Sequence, residues 1–397
     1  MIKQAVILAG GLGTRIRHVL SDLPKPMAPI GDKPFLEYII RNLSLNGFKK
    51  FLLLVGYKKE KIIEYFQNGS RFGVEIQYSE ENKPLGTGGA LLNAFDKLDE
   101  EFILINGDTF FDIEFELLCD YISDKKPETL LVLRYTDNIL RYGLVEIDLD
   151  YKILCFKEKG QLPENYADGY INGGIYYFQK EVLKKFIERS DKKISLEIDI
   201  LPILVADRFL SGLPMGGKFV DIGIPEDYRL ACEEIPKWFD IKRKGATFLD
   251  RDGVIINDTG YPCGKDIEFL AIGYKLVENA NKEGKYVIVV TNQSGVARGK
   301  FSEKDAIRTN ELIKKKYSEK GLGIDAFYYC PFHSEGIVEQ YKKISLARKP
   351  NPGMILKACE DFRISIRHSA MIGDKDSDRI KLFGLKSIIL SDNSIKI

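Results

Sequence analysis

Two polar loops, each following an apolar strand-like run, constrain the possible fold of this chain most strongly. LAGGLGTR occupies residues 8–15 and FLDRDGVI occupies residues 248–255. Glycines let a backbone approach phosphate closely, and two aspartates two residues apart repel each other unless a cation or a shared proton intervenes. Each loop is typical of phosphate chemistry at the end of a β-strand. The sequence therefore predicts two separate phosphate sites.

The pattern of apolar residues indicates two α/β domains with largely parallel sheets. Short β-rich runs alternate with amphipathic stretches such as the predicted helix at Phe35–Leu45. Strands are predicted at residues 5–9, 51–55, 102–105 and 130–133, and again at 246–250, 286–291, 370–372 and 387–390. The segment EEIPKWFDIKRKG between the two series combines charge, a proline and the single tryptophan. We therefore predict a domain at 1–232, a linker at 233–245 and a second domain at 246–397.

Composition excludes several classes of function. Lys and Arg number 59 against 58 Asp and Glu, so there is no excess charge to attract nucleic acid or an anionic membrane. The longest apolar runs are far shorter than the roughly 20 residues of a membrane-spanning helix. The N-terminus lacks the pattern of a secretion signal, and the six cysteines form no C-x-x-C pair. We expect a cytoplasmic enzyme without nucleic-acid or membrane partners, and homo-oligomerisation is left open.

The first loop is predicted to hold a triphosphate. Its spacing differs from G-x-G-x-x-G, and no acidic residue closes a second strand about 20 residues later, so a dinucleotide site is disfavoured. An ordinary glycine-rich turn is the other alternative. Further along, prolines at 24, 26 and 29 hold Lys25 on a stiff extended segment. A cation held in this way can neutralise a phosphate.

The order of motifs in the first domain resembles that of the sugar-1-phosphate nucleotidyltransferases. LAGGLGTR and PKPMAPIGDKPFLEY are followed by LGTGGAL, INGDT, FKEK, INGGIY and FVDIGIPEDY. The wording is most similar to the heptose-1-phosphate guanylyltransferase branch, with mannose-1-phosphate and N-acetylmuramate-1-phosphate enzymes as near relatives. The resemblance implies a Rossmann-like fold with a mixed, mainly parallel sheet. It also implies transfer of a nucleotidyl group from GTP or another nucleoside triphosphate to a sugar phosphate, with release of pyrophosphate.

The same resemblance assigns residues to roles. Asp108 and Asp221 would share a magnesium ion, and Arg15 and Lys25 would stabilise the reacting phosphates. Taken singly, Asp108 could be a turn residue and Lys157 a solvated surface charge. The residues implied to bind the nucleotide are Gly10, Gly11, Gly13, Thr14, Arg15, Lys25, Gly86, Thr87, Gly88 and Asp108. Those implied to bind the sugar phosphate are Lys157, Glu158, Asn172 and Gly173.

The aspartates of the second domain suit phosphate removal. Asp250 can attack phosphorus, while Asp252 protonates the leaving alcohol and later activates water. A turn or an incidental metal site is the alternative for such a pair alone. Three further motifs end strands or follow them, and strand ends converge at one edge of an open α/β sheet. These motifs contain Thr291 and Asn292, Arg348 and Lys349, and Asp374 and Asp378.

This four-motif pattern resembles the haloacid dehalogenase-like phosphatases. DRDGVI, TNQSGVARGKFSE, YYCPFHSEG and RKPNPGM are most similar to the heptose-1,7-bisphosphate 7-phosphatase branch, and histidinol-phosphate phosphatase is a near relative. The resemblance implies a Rossmannoid parallel sheet, with magnesium bound by Asp250, Asp374 and the Asp252 carbonyl. Arg348 would contact substrate. The residues implied to hold the phosphoryl group are Thr291, Asn292, Lys349 and Lys375.

One departure from this family concerns structural zinc. Cys330 and His333 remain, but Ser345 and Ala347 stand where the family often has two more cysteines. Zinc needs about four N or S ligands, so we do not expect it here and expect packing to hold the loop instead.

The whole chain is predicted to convert heptose 1,7-bisphosphate into heptose 1-phosphate and then into GDP-heptose, using magnesium at both sites. Other sugars or bases, or one domain kept as a scaffold, are the alternatives.

Overall fold

The computed structural model describes residues 2–11, 23–141, 143–157, 165–189, 192–239, 241–264, 266–391 and 394–396. The strands of its N-terminal half are β1 (Gln4–Leu8), β2 (Pro29–Ile30), β3 (Lys33–Pro34), β4 (Lys50–Val55), β5 (Glu75–Glu80), β6 (Glu101–Asn106), β7 (Thr109–Asp112), β8 (Thr129–Thr136), β9 (Leu144–Ile147), β10 (Ile153–Lys157), β11 (Gly169–Gln179), β12 (Leu210–Pro214) and β13 (Lys218–Asp221). The α-helices are α1 (Phe35–Leu45), α2 (Lys59–Phe66), α3 (Gly86–Asn93), α4 (Phe115–Lys125), α5 (Leu201–Ala206) and α6 (Pro225–Trp238).

Strand β1 lies near the middle of a nine-stranded sheet. The order is β10-β9-β11-β6-β1-β4-β5, and β8 joins β11 to β12. Strand β1 runs parallel to β4 and β6, whereas β11 runs antiparallel to β6 and β8. The central strands are buried on both faces, which explains their nearly continuous apolar sequences. This mixed sheet with helices confirms the predicted fold class.

The C-terminal half forms a second sheet. Its strands are β14 (Ala246–Leu249), β15 (Tyr286–Asn292), β16 (Ala326–Cys330), β17 (Ala370–Gly373), β18 (Lys386–Ser391) and β19 (Ser394–Lys396). Their order is β16-β15-β14-β17-β18-β19, and the pairs are parallel except β18 with β19. The helices are α7 (Ala271–Lys282), α8 (Ser294–Ala297), α9 (Glu303–Ser318) and α10 (Gly353–Asp361). Helix α9 begins with a capping box in which Ser302 and Asp305 bond each other's backbone amides.

The segment predicted as a linker is partly helical. Helix α6 continues to Trp238, whose ring lies 5.7 Å from that of Phe110. Ile235 and Trp238 of this segment are buried, and Trp238 packs on the N-terminal half through Phe110. The domain bounds at 232 and 246 stay a prediction.

The two halves share a buried apolar core. Residues of α10 such as Leu356 and Cys359 belong to the same buried cluster as the central strands of the first sheet. A Cβ on Gly216 would lie 2.4 Å from the Cys359 Cβ, so this contact requires glycine. The Tyr121 ring packs edge-on against Phe383, with 5.0 Å between centroids. Apolar burial thus stabilises the seam between the halves.

A buried ion-pair cluster crosses the same seam. Asp112, at the end of β7, is 1% exposed. Arg363 binds its carboxylate in a bidentate manner, with Nε 2.7 Å from Oδ2 and Nη2 3.1 Å from Oδ1. Arg243 Nη2 lies 2.9 Å from Oδ1. One carboxylate of the N-terminal half therefore binds the guanidinium groups of two arginines that lie more than a hundred positions later in the sequence.

We expect Asp112→Ala to lower the free energy of unfolding by about 3–5 kcal/mol, because two largely buried guanidinium groups lose their counter-charge. Urea unfolding of the full chain measures this loss. Glu116→Ala is the control, since Glu116 pairs with Arg367 at 2.7 Å but is 74% exposed, and such pairs contribute about 1 kcal/mol or less. Equal losses in the two variants would contradict the role given to Asp112.

Among the described residues, no helix is both long and apolar enough to cross a membrane.

Candidate active sites

A cavity of about 580 Å³ opens at the carboxyl ends of β1 and β6. Leu8 and Asn106 pair across these strands, so the loops that follow them reach the same edge of the sheet. Packing around Gly10 is tight, because a Cβ there would lie 3.0 Å from Glu81 Oε1 and 3.3 Å from the Gly56 backbone nitrogen. Gly10, Gly11 and Asp108 all line this cavity, at the edge where the sequence predicted a nucleotide.

Asp108 and Asp221 are brought together by the ladder between β7 and β13, in which Asp221 pairs with Thr109. Lys25 Nζ lies 2.5 Å from Asp108 Oδ2 and 3.6 Å from Asp221 Oδ1. Burial and then the Asp108 charge raise the pKa of Asp221, whereas Lys25 opposes this rise. The two carboxylates are 40% and 33% exposed. Asp108 lines the cavity, whereas Asp221 is not among the lining residues. Two adjacent, partly exposed carboxylates fit a hard cation such as Mg²⁺.

Helix α3 directs its first turn toward the same cavity. Gly86 has a φ of +76°, and a Cβ on it would lie 2.5 Å from Ile194 O, so this position requires glycine. Thr87 Oγ1 donates a hydrogen bond to Glu197 Oε2 at 2.9 Å. Gly86 and Thr87 line the cavity as predicted residues of the nucleotide pocket. Gly88, also predicted for this pocket, is buried and is not among the lining residues. Its backbone amide donates to Ile194 O at 2.9 Å.

Four charged residues of the cavity were not predicted from sequence: Glu81, Lys83, Lys193 and Glu197. Glu81 Oε2 accepts a hydrogen bond from the Leu85 amide at 2.9 Å. Burial raises the pKa of Glu81 and this hydrogen bond lowers it. The charged run just before LGTGGAL was a usable signal for Glu81. Residues 193 and 197 are distant in sequence from every motif, so only the tertiary fold reveals them.

The residues predicted to bind the sugar phosphate are engaged with protein neighbours. Lys157 Nζ pairs with Glu146. The Asn172 amide donates to Tyr176 Oη at 2.8 Å, and a Cβ on Gly173 would lie 2.7 Å from a backbone oxygen. None of Lys157, Asn172 and Gly173 is among the described residues that line the cavity, so their role stays a prediction. Four other predicted residues lie outside the described part of the chain: Gly13, Thr14, Arg15 and Glu158.

A second cavity, of about 300 Å³, opens at the carboxyl edge of the second sheet. The Asp250 amide donates to Ile372 O at 2.9 Å, which ties the end of β14 to β17. The sequence motifs thus converge as expected for an open α/β sheet. The predicted residues that line this cavity are Asp250, Asp252, Thr291, Asn292, Arg348, Lys349 and Lys375.

Asp250, Asp374 and Asp378 can place one carboxylate oxygen each within 4.8 Å of one another. Asp374 Oδ1 is buried and has no hydrogen-bond partner among the described residues. Burial raises the pKa of Asp250 to about 7, with Lys349 opposing and Asp378 adding to the rise, and burial also raises the pKa of Asp374. Buried carboxylates with an unpaired oxygen fit Mg²⁺. Asp378 was named in its motif but was not predicted to be a ligand.

The Asp252 side chain is not part of that acidic group. Arg251 Nε lies 2.7 Å from Asp252 Oδ1, and Gln293 Nε2 donates to Oδ2 at 3.0 Å. Arg251 is fully buried, with 0% of its surface exposed. The carboxyl group is therefore oriented by two neighbours while still lining the cavity, as an acid and base requires. The magnesium contact predicted for Asp252 concerned its carbonyl and stays a prediction.

Lys349 is fixed at the centre of the second site. Its Nζ lies 2.8 Å from Asp250 Oδ1 and 2.6 Å from Asp378 Oδ1. The Asn292 side chain accepts from the Lys349 amide at 3.0 Å and donates to the Lys349 carbonyl at 3.1 Å. Lys375, by contrast, pairs with Asp258 at 2.5 Å. One ammonium group is thus buried beside the predicted nucleophile, and the other lies at the rim.

The loop with Cys330 and His333, for which packing was expected, is also held by hydrogen bonds. Cys330 Sγ donates to Ser345 Oγ at 3.9 Å, and Ser345 Oγ donates to Asp168 of the N-terminal half. His333 Nδ1 accepts from the Glu335 amide at 3.1 Å. The group of potential metal ligands found among the described residues contains neither Cys330 nor His333.

Two α/β sheets, each with carboxylates and a lysine at its carboxyl edge, define an enzyme of phosphate chemistry with two sites. The chain belongs to the nucleotidyl transferase family, whose model matches residues 4–237. A model described as HAD-hydrolase-like matches residues 346–386, which include Lys349, Asp374 and Asp378. The protein therefore joins a nucleotidyltransferase to a haloacid dehalogenase-like phosphatase.

Relatives of known activity match more than half of the chain. A D-glycero-alpha-D-manno-heptose 1-phosphate guanylyltransferase from Aneurinibacillus thermoaerophilus is 42% identical over 234 residues, which is 58% of this chain and 98% of the relative. The enzyme of the same name from Campylobacter jejuni is 40% identical over 57% of this chain and 96% of its own length. The crystal structure of HddC from Yersinia pseudotuberculosis complexed with GMP-PN has a TM-score of 0.51 and 34% identity, covering 59% of this chain and 99% of that one.

Proposed function

We propose that this chain makes a nucleotide-activated heptose in two steps. The C-terminal domain removes the 7-phosphate of D-glycero-D-manno-heptose 1,7-bisphosphate. The N-terminal domain then joins heptose 1-phosphate to GMP from GTP and releases pyrophosphate. The observation that carries this proposal is one chain with two carboxylate-and-lysine sites, together with 42% identity to a heptose 1-phosphate guanylyltransferase.

In the phosphatase step, an Asp250 oxygen attacks phosphorus while the bond from phosphorus to the sugar oxygen breaks. Asp252, held by Arg251 and Gln293, gives its proton to the leaving oxygen and later takes one from the water that hydrolyses the aspartyl-phosphate. Lys349 offsets negative charge beside Asp250. Magnesium held by Asp250, Asp374 and Asp378 would add positive charge at the phosphoryl group.

In the transferase step, a phosphate oxygen of heptose 1-phosphate attacks the α-phosphorus of GTP, and the bond to the β-phosphate breaks. Gly10 and Gly11 leave room for the phosphates in the cavity. Lys25 lines the cavity and would offset charge on the α-phosphate, while Arg15 is proposed to hold the leaving pyrophosphate. Asp108 and Asp221 would hold magnesium, which neutralises triphosphate charge.

The substrate assignment is tested by supplying heptose 1,7-bisphosphate and magnesium with GTP, ATP, UTP or CTP in separate reactions. We expect GDP-heptose with GTP and much less product with the others, since the base contacts decide the choice. Mass spectrometry of the sugar nucleotide identifies both parts of the product. A faster reaction with another triphosphate would correct the base, and no sugar nucleotide with any triphosphate would overturn the heptose assignment.

A further inference from the structure

The segment Ile344–Lys349 of the phosphatase domain is anchored to both domains. At its start, the Ile344 amide donates to Asn165 O at 2.8 Å and the Ala167 amide donates to Ile344 O at 2.9 Å, which forms a parallel bridge between the domains. At its end, the Asn292 side chain binds both backbone groups of Lys349. The segment is therefore stretched between a strand end of the phosphatase sheet and the transferase domain.

Asp168 is the main polar anchor on the transferase side. It is 3% exposed, and Ser345 is 6% exposed. The Asp168 carboxylate accepts hydrogen bonds from Ser345 Oγ, from the Leu346 amide at 2.6 Å and from Tyr135 Oη at 3.2 Å. Hydrogen bonds to a charged acceptor are stronger than those to a neutral one. This carboxylate therefore fixes two consecutive residues of the segment.

The anchored residues lead directly into the phosphatase site. The Arg348 amide donates to Ser345 O at 3.3 Å, and Arg348 and Lys349 both line the phosphatase cavity. Lys349 Nζ lies 2.8 Å from Asp250 Oδ1. A shift of the Ser345 turn would therefore displace these two cationic side chains, which line the cavity. Displacements of about 1 Å at such positions are costly to catalysis.

We infer that Asp168, although it belongs to the transferase domain, is a positioning residue of the phosphatase: it sets Arg348 and Lys349 through Ser345 and Leu346. This inference rests on the proposed phosphatase activity. It implies that the phosphatase domain depends on the transferase domain for full activity. The dependence passes through hydrogen bonds rather than through a residue in the cavity.

The test compares Asp168→Ala and Asp168→Asn with the unchanged full chain. Asp168→Ala should lower kcat/KM for a simple phosphomonoester, p-nitrophenyl phosphate, on the order of tenfold or more, and raise the Ki of inorganic phosphate. Asp168→Asn keeps an oxygen acceptor for the Leu346 amide and should recover most of both quantities. Calorimetric binding of inorganic phosphate with magnesium gives the same comparison without turnover.

The matched control is Glu114→Ala. Glu114 also reaches across the domain seam and accepts from a serine, Ser365 Oγ at 2.7 Å, and from the next amide, Ile366 N at 2.9 Å. Ser365 and Ile366 precede the start of β17, and the catalytic edge lies at the other end of this strand. The four residues of β17 span about 13 Å, which is the separation along the strand. Because Glu114 makes the same kind of contact across the seam, Glu114→Ala should lower the unfolding midpoint as much as Asp168→Ala does. Because that contact is distant from the catalytic edge, kcat/KM and the Ki of phosphate should stay within about twofold of the unchanged chain.

Equal phosphatase losses in Asp168→Ala and Glu114→Ala would overturn the inference, since a general weakening of the seam would then explain both. An unchanged Ki of phosphate in Asp168→Ala would overturn it as well. If the unchanged chain hydrolysed no phosphomonoester, the proposed function would fail, yet phosphate binding would still decide whether Asp168 positions the site.

Discussion

Asp250→Asn should reduce phosphate release from heptose 1,7-bisphosphate by about 10⁴-fold or more, while nucleotidyl transfer to heptose 1-phosphate continues. An amide cannot replace the carboxylate as nucleophile. The substitution also removes one of the two carboxylates that face the buried Lys349 Nζ, at 2.8 Å. Phosphate release and pyrophosphate release, measured on the same preparation with the two substrates supplied separately, report the two activities.

Asp258→Asn is the control for this variant. Asp258 lines the same cavity but pairs with Lys375 at the rim, at 2.5 Å, so its loss should cost on the order of tenfold. If Asp250→Asn stopped both activities, or left phosphate release intact, the assignment of Asp250 to a separate phosphatase site would be wrong.

Asp108→Asn should have the reverse effect, with nucleotidyl transfer falling on the order of 10³-fold and phosphate release unchanged. The variant loses one of the two carboxylates proposed to hold magnesium. It also loses the charge 2.5 Å from Lys25 Nζ, so that among the described residues the carboxylate left near this lysine is that of Asp221, at 3.6 Å. The expected measurement is pyrophosphate release at saturating GTP and heptose 1-phosphate, with magnesium varied.

Asp32→Asn provides the same change of side chain at a surface position, where the aspartate side chain is 83% exposed. Its transferase rate should stay within about twofold of the unchanged chain. A loss confined to Asp108→Asn supports the metal role, and a partial rescue by excess magnesium would strengthen it. Full transferase activity in Asp108→Asn would refute that role.

The elements with strong apolar periodicity were predictable from sequence. The helix Phe35–Leu45 was predicted at its observed bounds, because its apolar residues follow a helical period and Pro34 precedes it. The central strands were found within one or two residues of their ends, since buried parallel strands are almost continuously apolar. Loops that end such strands meet at one edge, so local motifs predicted part of each cavity lining, including Gly10, Gly11 and Asp108 in the first and Asp250, Thr291 and Lys349 in the second.

Residues whose partners are distant in sequence were not predictable. Glu197 lines the first cavity, where it accepts a hydrogen bond from Thr87, 110 residues earlier in the chain. Asp168 lies between two predicted motifs, yet its carboxylate binds residues 177 and 178 positions away. The role of Trp238 also escaped prediction, because a charged, proline-containing segment suggested a linker where the structure has the end of a packed helix. In a single sequence, neither the charge of a residue nor its spacing from a motif shows which distant residue it will contact.

The close contact between Gly216 and Cys359 has a consequence for the evolution of the chain. Separate enzymes accumulate substitutions independently, whereas here a side chain added at residue 216 of one half would collide with Cys359 of the other. Fusion ensures equal amounts of the two activities in the cell. As a result, neither half can accept a larger side chain at this contact without a compensating substitution in the other half.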